Sequence, residues 1–381
     1  MLNRLKGILY DGVLLLACLG TRQKTSLKLL IVKTDEIGDY LLWRNFLQEI
    51  VSGERFKSYE IHFCGNSSWK SLFDTFDRSF IHQTIWLEKV RFKKDLAYRY
   101  TFLKNIYRQQ YGIIINPIYS RDKRNDDSIV KAAKARQTIG MVGNPESVRS
   151  YETGYDLNLY TDLFDHKEKP IFEFRRNQLF TEFIIGNPSG ITNTKIPGNL
   201  LPTLHIALPE KYVVVFPGSR SRKRIWPTAH FIAVSNFLFQ QYGFTMVVSG
   251  TGSDAEYTTA FCNQYTHPYI NLSGKTSLPE ILTLLKNAQC LLSVDTGSVH
   301  LAAAVGCTVF GIFNGSQYKR FAPYPKEMAP NFFAVYPDAA EKDFVNFEAV
   351  KEKYEFVIDT QYKDVPAEKM ISTIQQNFNF N

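Results

Sequence analysis

The chain has 381 residues, which is too long for one ordinary core and suits two domains. Hydrophobic residues make up 44% of it and charged residues 22%, a globular composition that excludes disordered and fibrous classes. The net charge of +8 favours anionic partners, but no nucleic-acid-binding motif accompanies the scattered basic residues, so we expect no nucleic acid partner. The five cysteines are widely spaced without a CxxC pair, which predicts free thiols and no metal.

The first 26 residues carry a leucine-rich stripe with basic residues near both ends. A basic start followed by an apolar stretch is typical of a signal peptide, but Asp11 interrupts the stretch. The stretch is also shorter than the ~20 residues that a membrane-spanning helix needs. Two interpretations remain open: a helix that packs on the fold, and an amphipathic helix that makes peripheral contact with an anionic membrane surface.

From Leu27 onward, short β-type runs alternate with longer amphipathic segments, a pattern that predicts parallel sheets covered by helices on both faces. In the first half the predicted strands are 28–33, 59–64, 81–86 and 112–116, and the predicted helices are 40–52, 67–76, 95–111 and 128–136. The region 117–160 is polar and poor in periodicity, so we expect long loops there.

In the second half the predicted strands are 211–216, 244–249, 289–294 and 307–313, and the predicted helices are 228–242, 253–265, 277–287 and 298–305. The predicted fold is α/β, with two doubly wound Rossmann-like domains facing a central cleft. The expected division is an N-terminal extension 1–27, a domain 28–186, a linker 187–204 rich in Asn, Pro, Ser, Thr and Gly, and a domain 205–381. The C-terminal helix is free to pack back on the N-terminal domain.

The stretch SVDTGSVHLAAAVG places a polar turn between a predicted strand and a predicted helix. The amides of Thr296 and Gly297 would point out of the helix N-terminus, which is a site for anions. Gly297 lets a phosphate approach the backbone, Thr296 adds a hydroxyl donor, and His300 lies one turn further on. The alternative is a structural turn in which Asp295 caps the helix and His300 is a core histidine with its own hydrogen-bond partner.

Two further stretches of the second half follow strands in the same way. VVVFPGSRSRKRIWP ends a strand at Pro-Gly-Ser219 and continues through basic residues that include Lys223 and Arg224, which predicts a diphosphate site. An exposed, solvated loop is the alternative. In VVSGTGSDAEY a strand leads through two glycines to Asp254, a candidate acceptor of hydrogen bonds from ribose hydroxyls, although a lone glycine pair is a weak signal.

The first half contributes IVKTDEIGDYLL, in which three carboxylates surround Gly38 at a predicted strand-to-helix turn: Asp35, Glu36 and Asp39. Asp39 could merely cap the helix. A carboxylate at this edge of the sheet is also where a general base would stand.

Taken together, these stretches resemble glycosyltransferase family 9, the ADP-heptose:lipopolysaccharide heptosyltransferases, over roughly residues 28–325. IVKTDEIGDYLL matches the family's first turn, PGSRSRKRIWP its basic element, NLSGKTSLPEIL its L-x-G-x-T-S-L element, and SVDTGSVHLAAAVG its signature. One departure is Asn314-Gly315-Ser316, which stands where the family usually has F-G-P-T, so the selection of base and sugar stays open.

The resemblance implies the GT-B fold and an inverting, metal-independent transfer of a sugar, with Asp39 as the catalytic base. Lys223 and Arg224 would stand at the phosphate-binding position and Asp254 at the ribose position. The donor-binding residues that it implies are Ser219, Lys223, Arg224, Asp254, Asp295, Thr296, Gly297 and His300. We expect no metal site and no cofactor, because the nucleotide-sugar is a substrate.

The expected function is transfer of a heptose from ADP-heptose to lipopolysaccharide or another bacterial surface glycan, with a lipid-linked acceptor at the cytoplasmic face of the membrane. Three alternatives stay open: a transferase that uses a UDP-sugar, a non-hydrolytic sugar-nucleotide epimerase, and a catalytically silent nucleotide- or glycan-binding protein.

Overall fold

The chain folds into two compact units, and each unit is formed by two separate segments of the sequence. The computed structural model describes residues 2–20, 26–144, 148, 154–167, 169–358 and 360–377. The first unit comprises Met1–Glu168 and Phe174–Ile191, and the second comprises Lys169–Glu173 and Thr192–Asn381. The chain therefore passes from one unit to the other at three points, the last of which lies within 187–204.

The first unit is built on a sheet of six parallel strands in the order β3-β2-β1-β4-β5-β6. The strands are β1 Lys28–Lys33, β2 Glu60–Asn66, β3 Gln83–Leu87, β4 Ile113–Asn116, β5 Gln137–Met141 and β6 Asp162–Phe164. The helices are α1 Leu2–Ala17, α2 Ile37–Leu41, α3 Phe46–Ser52, α4 Lys70–Phe76, α5 Lys89–Lys94, α6 Leu96–Arg108, α7 Asp126–Ala133 and α8 Glu173–Ile185, which begins at the unit boundary. β1 is buried from its second residue onward, as expected for a strand covered on both faces.

The second unit has a sheet of six parallel strands in the order β12-β11-β10-β7-β8-β9. The strands are β7 Tyr212–Phe216, β8 Thr245–Val248, β9 Tyr269–Asn271, β10 Cys290–Val294, β11 Val309–Ile312 and β12 Phe332–Val335. The helices are α9 Thr228–Tyr242, α10 Ala255–Gln264, α11 Leu278–Lys286, α12 Gly297–Ala304, α13 Asp338–Phe344, α14 Phe347–Tyr354 and α15 Ala367–Asn377. Trp226 lies at the centre of its core and donates its indole N–H to the carbonyl of Val365 at 2.8 Å.

Both sheets have the same strand order when each is counted from its own first strand, and this order is that of doubly wound nucleotide-binding sheets. The order reverses between β1 and β4 in the first unit and between β7 and β10 in the second. At such a reversal the loops that follow the two strands diverge and leave room for a ligand. The predicted α/β fold with two doubly wound Rossmann-like units is confirmed.

Two sequence expectations differ from the structure in detail. The region 117–160 is not a long loop throughout, because it holds α7 and β5, although 145–147 and 149–153 lie outside the described residues. β5 reads QTIGM and lacks a strong apolar signal, since Gly140 gives its side-chain space to the ring of Tyr160. The single helix predicted over 40–52 is two short helices, α2 and α3.

The C-terminal helix α15 packs in the core of the second unit. Its buried residues Met370 and Ile374 belong to the same apolar cluster as Trp226 and Phe231 of that unit. The sequence left open whether the C-terminal helix packs on the N-terminal domain, and these contacts place α15 on the second unit.

Candidate active site

The loops that follow β7 and β10 begin side by side at the reversal point of the second sheet. β7 and β10 are hydrogen-bonded neighbours, with Phe216 opposite Ser293 near their carboxyl ends. The Pro-Gly-Ser and basic stretch follows β7, and the Asp-Thr-Gly turn follows β10. The structure therefore brings together two stretches that are about 70 residues apart in sequence and that the sequence marked separately as anion sites.

Arg224 and Asp295 link these two loops. The Nη1 atom of Arg224 lies 3.3 Å from Oδ2 of Asp295 and donates a hydrogen bond to the carbonyl oxygen of Asp295 at 3.2 Å. Tyr362 donates its hydroxyl to the same carboxylate oxygen at 3.4 Å. The Arg224 side chain remains 39% exposed, so its guanidinium is fixed over the turn and still accessible to a ligand.

The helix α12 begins at Gly297, directly after this ion pair. Its N-cap residue is Thr296, which is extended and makes no capping bond with its side chain. The alternative in which Asp295 caps the helix is therefore wrong. The hydroxyl of Thr296 instead hydrogen-bonds that of Ser298 at 2.7 Å, and Ser298 bonds Ser293 at 2.7 Å. Helix amides without an intrahelical partner and the helix dipole both favour an anion at this end.

His300 is buried one turn into α12. Its Nδ1 atom hydrogen-bonds the hydroxyl of Tyr324 at 2.8 Å. Burial lowers the pKa of His300 to about 4, although the charge of Asp295 acts in the opposite direction. The ring is therefore neutral near pH 7, and its structural partner agrees with the interpretation of a core histidine. A direct contact between His300 and a donor stays a prediction.

We expect the stability of the fold to fall as the pH drops from 6.5 to 4, because of His300. Unfolded histidine binds a proton below its ordinary pKa of about 6.5, whereas the folded ring does so only near pH 4. The difference amounts to about 3 kcal/mol of the free energy of unfolding at pH 4. Urea unfolding at pH 7 and pH 4.5 should show a smaller loss for His300→Gln than for the wild type. The same loss in both proteins would contradict this assignment.

Asp254 connects the loop after β8 to the loop after β7. Its Oδ2 atom accepts the backbone N–H of Thr251 at 2.8 Å and the hydroxyl of Thr251 at 2.7 Å, which caps the short 3-10 helix Gly252–Asp254. A Cβ at position 218 would lie 2.6 Å from Cβ of Asp254, so Gly218 is required by this close approach. The structural role of Asp254 is established by these contacts, and its contact with a ribose stays a prediction.

The remaining predicted donor residues occupy the loop after β7. Ser219 is buried, and its hydroxyl accepts the backbone N–H of Ser221 at 3.3 Å. Lys223 is exposed. Arg222 is 84% exposed and pairs with Glu256 at 3.3 Å, so it points away from the turn that Arg224 covers. Arg224, unlike Arg222, is held against the Asp-Thr-Gly turn.

In the first unit, the three carboxylates after β1 have different surroundings. Asp35 is nearly buried, and its Oδ2 atom lies 2.6 Å from Nζ of Lys33. Glu36 is 40% exposed and its Oε1 atom lies 2.9 Å from Nζ of Lys89. Asp39 is half-buried in the first turn of α2, inside the helix rather than at the N-cap, which is Glu36.

Electrostatics separate these carboxylates further. Burial raises the pKa of Asp35 to about 8, against the neighbouring Lys33 ammonium and with a further contribution from the charge of Asp39. Asp35 is thus mostly protonated at neutral pH, and its backbone carbonyl is held by the side chains of Asn66 and Trp69 at 3.1 Å. Glu36 is occupied by a lysine. The role of Asp39 as a general base at this turn stays a prediction.

The sequence analysis missed several residues that support these groups. Lys33 lies within an apolar strand, Lys89 begins a helix far along the chain, and Tyr362 follows the last sheet strand by 27 residues. Lys33 lies inside IVKTDEIGDYLL, where nothing marks it as the partner of a buried carboxylate, and Lys89 and Tyr362 lie outside the quoted motifs. No group of three or more His, Cys, Asp and Glu side chains within the described ranges is arranged to hold a metal ion.

Comparison with known proteins shows a protein family that the chain resembles. Residues 159–345 match the family model glycosyltransferase family 9 (heptosyltransferase). The resemblance to glycosyltransferase family 9 is confirmed. The match includes the basic loop after β7 and the Asp-Thr-Gly turn after β10, so both stretches lie in the matched segment.

Curated relatives and solved structures extend the comparison. The chain is 27% identical over 144 residues to lipopolysaccharide heptosyltransferase 3 of Escherichia coli, which is 36% of this chain and 42% of that protein. It is 27% identical over 139 residues to the lipopolysaccharide core heptosyltransferase OpsX of Haemophilus influenzae, which is 35% of this chain and 38% of that protein. The chain thus spans about two fifths of the length of these relatives.

The similarity to solved structures covers nearly the whole fold. The family 9 glycosyltransferase of Veillonella parvula has a TM-score of 0.64 and 17% identity, covering 94% of this chain and 99% of that one. Heptosyltransferase WaaC of E. coli, solved with ADP, has a TM-score of 0.64 and 15% identity, covering 92% and 99%. At this identity the comparison shows a shared GT-B fold.

Proposed function

We propose that the protein is an inverting glycosyltransferase that transfers a heptose from ADP-heptose to lipopolysaccharide or another bacterial surface glycan, at the cytoplasmic face of the membrane. The observation that carries the proposal is the Arg224–Asp295 ion pair beside the N-terminus of α12, at the reversal point of a sheet in a family 9 segment. A cation and free helix amides at one point suit a diphosphate, which is the leaving group of a nucleotide-sugar.

The nature of the donor rests on the relatives. The curated relatives are named lipopolysaccharide heptosyltransferases, and WaaC has been solved with ADP and with ADP-2-deoxy-2-fluoro heptose. A UDP-sugar remains the second candidate because Asn314 departs from the family pattern. Its amide donates to the carbonyls of Ile358 and Thr360 at 3.3 Å and 3.0 Å, so this loop is fixed by contacts that the usual F-G-P-T sequence would not make.

In the proposed reaction, Asp39 removes the proton of an acceptor hydroxyl as its oxygen attacks the anomeric carbon. The bond from that carbon to the diphosphate breaks, and attack from the opposite face inverts the configuration. Arg224 and the amides at the start of α12 stabilise the negative charge that develops on the departing diphosphate. One carboxylate suffices for this route, since no covalent sugar intermediate has to form.

The test is a thermal-shift comparison of ADP, UDP and AMP. A nucleotide present at 100 times its Kd adds about 2.7 kcal/mol to the stability of the fold that binds it. We expect ADP to raise Tm by roughly 5–10 °C. UDP should raise it by less because its base differs, and AMP by less because it lacks the second phosphate. A larger shift with UDP would favour the UDP-sugar alternative, and no shift with either diphosphate would contradict the proposal.

Product analysis separates the remaining alternatives. With ADP-heptose and a de-acylated lipopolysaccharide core, a transferase releases ADP and lengthens the glycan. An epimerised nucleotide-sugar formed without any acceptor identifies the epimerase instead. Tight binding of ADP-heptose with neither product identifies a silent binding protein.

A further inference from the structure

One face of α1 packs on the first unit. The ring of Tyr10 lies 4.3 Å from the guanidinium of Arg99 in α6, and Cys18 lies 3.8 Å from the carbonyl of Ala132 in α7. Tyr107 of α6 donates its hydroxyl to the carbonyl of Gly20 at 2.8 Å. Contacts advance along α1 and α6 in the same direction, so the helices run parallel. The interpretation of residues 1–26 as a helix packed on the fold is confirmed for residues 7–20, while residues 1 and 21–25 lie outside the described part of the chain.

The opposite face of α1 is apolar and uncovered. Its side chains are between 54% and 70% exposed, and we define the outer face of α1 as Ile8, Leu9, Leu15, Leu16 and Leu19. The spacing of Ile8, Leu9, Leu15 and Leu16 places these side chains on one stripe of α1, and Leu19 follows in the turn after Ala17. Gly12 lies within the stripe and has no atom within 4 Å of its Cβ position, so nothing interrupts the surface. A contiguous exposed apolar stripe of this kind marks an interaction surface.

Two lysine ammonium groups lie near the C-terminal end of α1, beside the last residue of its outer face. Burial raises the pKa of Cys18, and the ammonium groups of Lys134 and Lys104 act against that shift, which places both cations near the end of α1. Lys104 also donates to the carbonyl of Leu19 at 2.5 Å. Asp11 is exposed on α1, and its carboxylate is among the charges that act on buried Arg99.

We propose that the outer face of α1 binds the surface of an anionic lipid bilayer, with the helix lying in the plane of the membrane. No helix in the described part of the chain is long and apolar enough to span a bilayer. Five exposed apolar side chains beside cations are the features of an interfacial helix. A second copy of the chain would bring like charges of Lys104 and Lys134 together, on a chain of net charge +8, so lipid is the occupant that the charges favour.

The packing of α1 determines how the proposal is tested. Deleting the segment would uncover the core around Tyr107 and Ala132, so substitutions on the outer face alone are used in the full-length chain. Leu15, Leu16 and Leu19 are changed together to Gln. A matched control changes three exposed apolar residues elsewhere to Gln, namely Leu157, Leu200 and Val345. Thermal unfolding verifies that both variants are folded.

Binding is measured by co-sedimentation with phosphatidylglycerol-containing vesicles and with pure phosphatidylcholine vesicles. We expect the wild type and the control to bind the anionic vesicles, and the outer-face variant to partition about ten-fold or more weakly, since burial of the leucine side chains is lost. Lys134 has a left-handed backbone, φ 45°, which asparagine tolerates, so Lys134→Asn removes the charge without added strain. It should weaken binding about five-fold, while Lys342→Asn on α13 should not.

Two results would overturn the proposal. Equal vesicle binding by the outer-face variant and the control would exclude the outer face of α1 as the lipid contact. Loss of a wild-type dimer in the outer-face variant, without vesicles present, would show that a second copy covers this face. The measurement involves neither nucleotide nor glycan, so its outcome does not depend on the proposed transferase activity.

Discussion

Changing Asp39 to Asn is expected to lower kcat by about 10²–10⁴, the range for loss of a general base, while the affinity for the nucleotide stays near the wild-type value. The amide is nearly isosteric with the carboxylate but cannot accept the acceptor's proton. Asp39 belongs to the first unit and the basic loop to the second, so we expect the basic loop to keep its contacts in the variant. Single-turnover kinetics with ADP-heptose, together with the Kd for ADP, measure the two effects separately.

The neighbouring carboxylates supply the controls for this experiment. Asp35→Asn imitates the protonated carboxyl group, because burial raises the pKa of Asp35 to about 8, so kcat at pH 7 should change little. Above pH 8 the wild-type Asp35 ionises and the variant does not, so their pH profiles should separate there. Glu36→Gln removes an exposed partner of Lys89 and should also retain activity. If Asp39→Asn keeps near-wild-type turnover and one of the controls loses most of it, the residue changed in that control is the base.

The sequence was sufficient to predict the strands that carry the site. β1, β7 and β10 are apolar runs that end abruptly in polar residues, and a strand buried on both faces leaves this pattern. The turns after them were therefore placed correctly at strand ends. The strands β5, β6, β9 and β12 were not predicted; each is three to five residues long and lies at or next to the edge of its sheet.

What the sequence could not supply is the pairing of groups that are distant along the chain. Arg224 and Asp295 are in contact because β7 and β10 are neighbours in the sheet. Neither motif contains information from which the order of the strands in the sheet can be predicted. The same holds for Tyr362, which reaches Asp295 from a segment after the last strand. Local pattern also suggested that Asp295 caps α12, and the long-range ion pair with Arg224 explains why it does not.

Arg224→Ala is expected to weaken ADP binding by about 1.5–3 kcal/mol, the range for a hydrogen bond to a charged group. That corresponds to a roughly 10- to 150-fold rise in Kd. Arg224 is already positioned by the carboxylate and the carbonyl of Asp295, so little order has to be gained when a diphosphate binds. Isothermal titration with ADP in the presence of EDTA measures the effect, and binding should persist there because the cation and the α12 amides, rather than a metal, neutralise the phosphates.

Arg222 is the matched control for this change, since it lies two residues earlier in the same 3-10 helix and pairs with Glu256 instead of Asp295. Arg222→Ala should leave Kd close to the wild-type value. Arg224→Lys should restore part of the affinity, because a lysine keeps the charge but lacks the guanidinium whose Nη1 contacts Oδ2 and the backbone carbonyl oxygen of Asp295. If Arg224→Ala and Arg222→Ala weaken binding equally, the loop acts only through its total charge, and the diphosphate does not sit at the turn that opens α12. Strict dependence of ADP binding on Mg²⁺ would contradict that position as well, since the anion would then be neutralised by the metal.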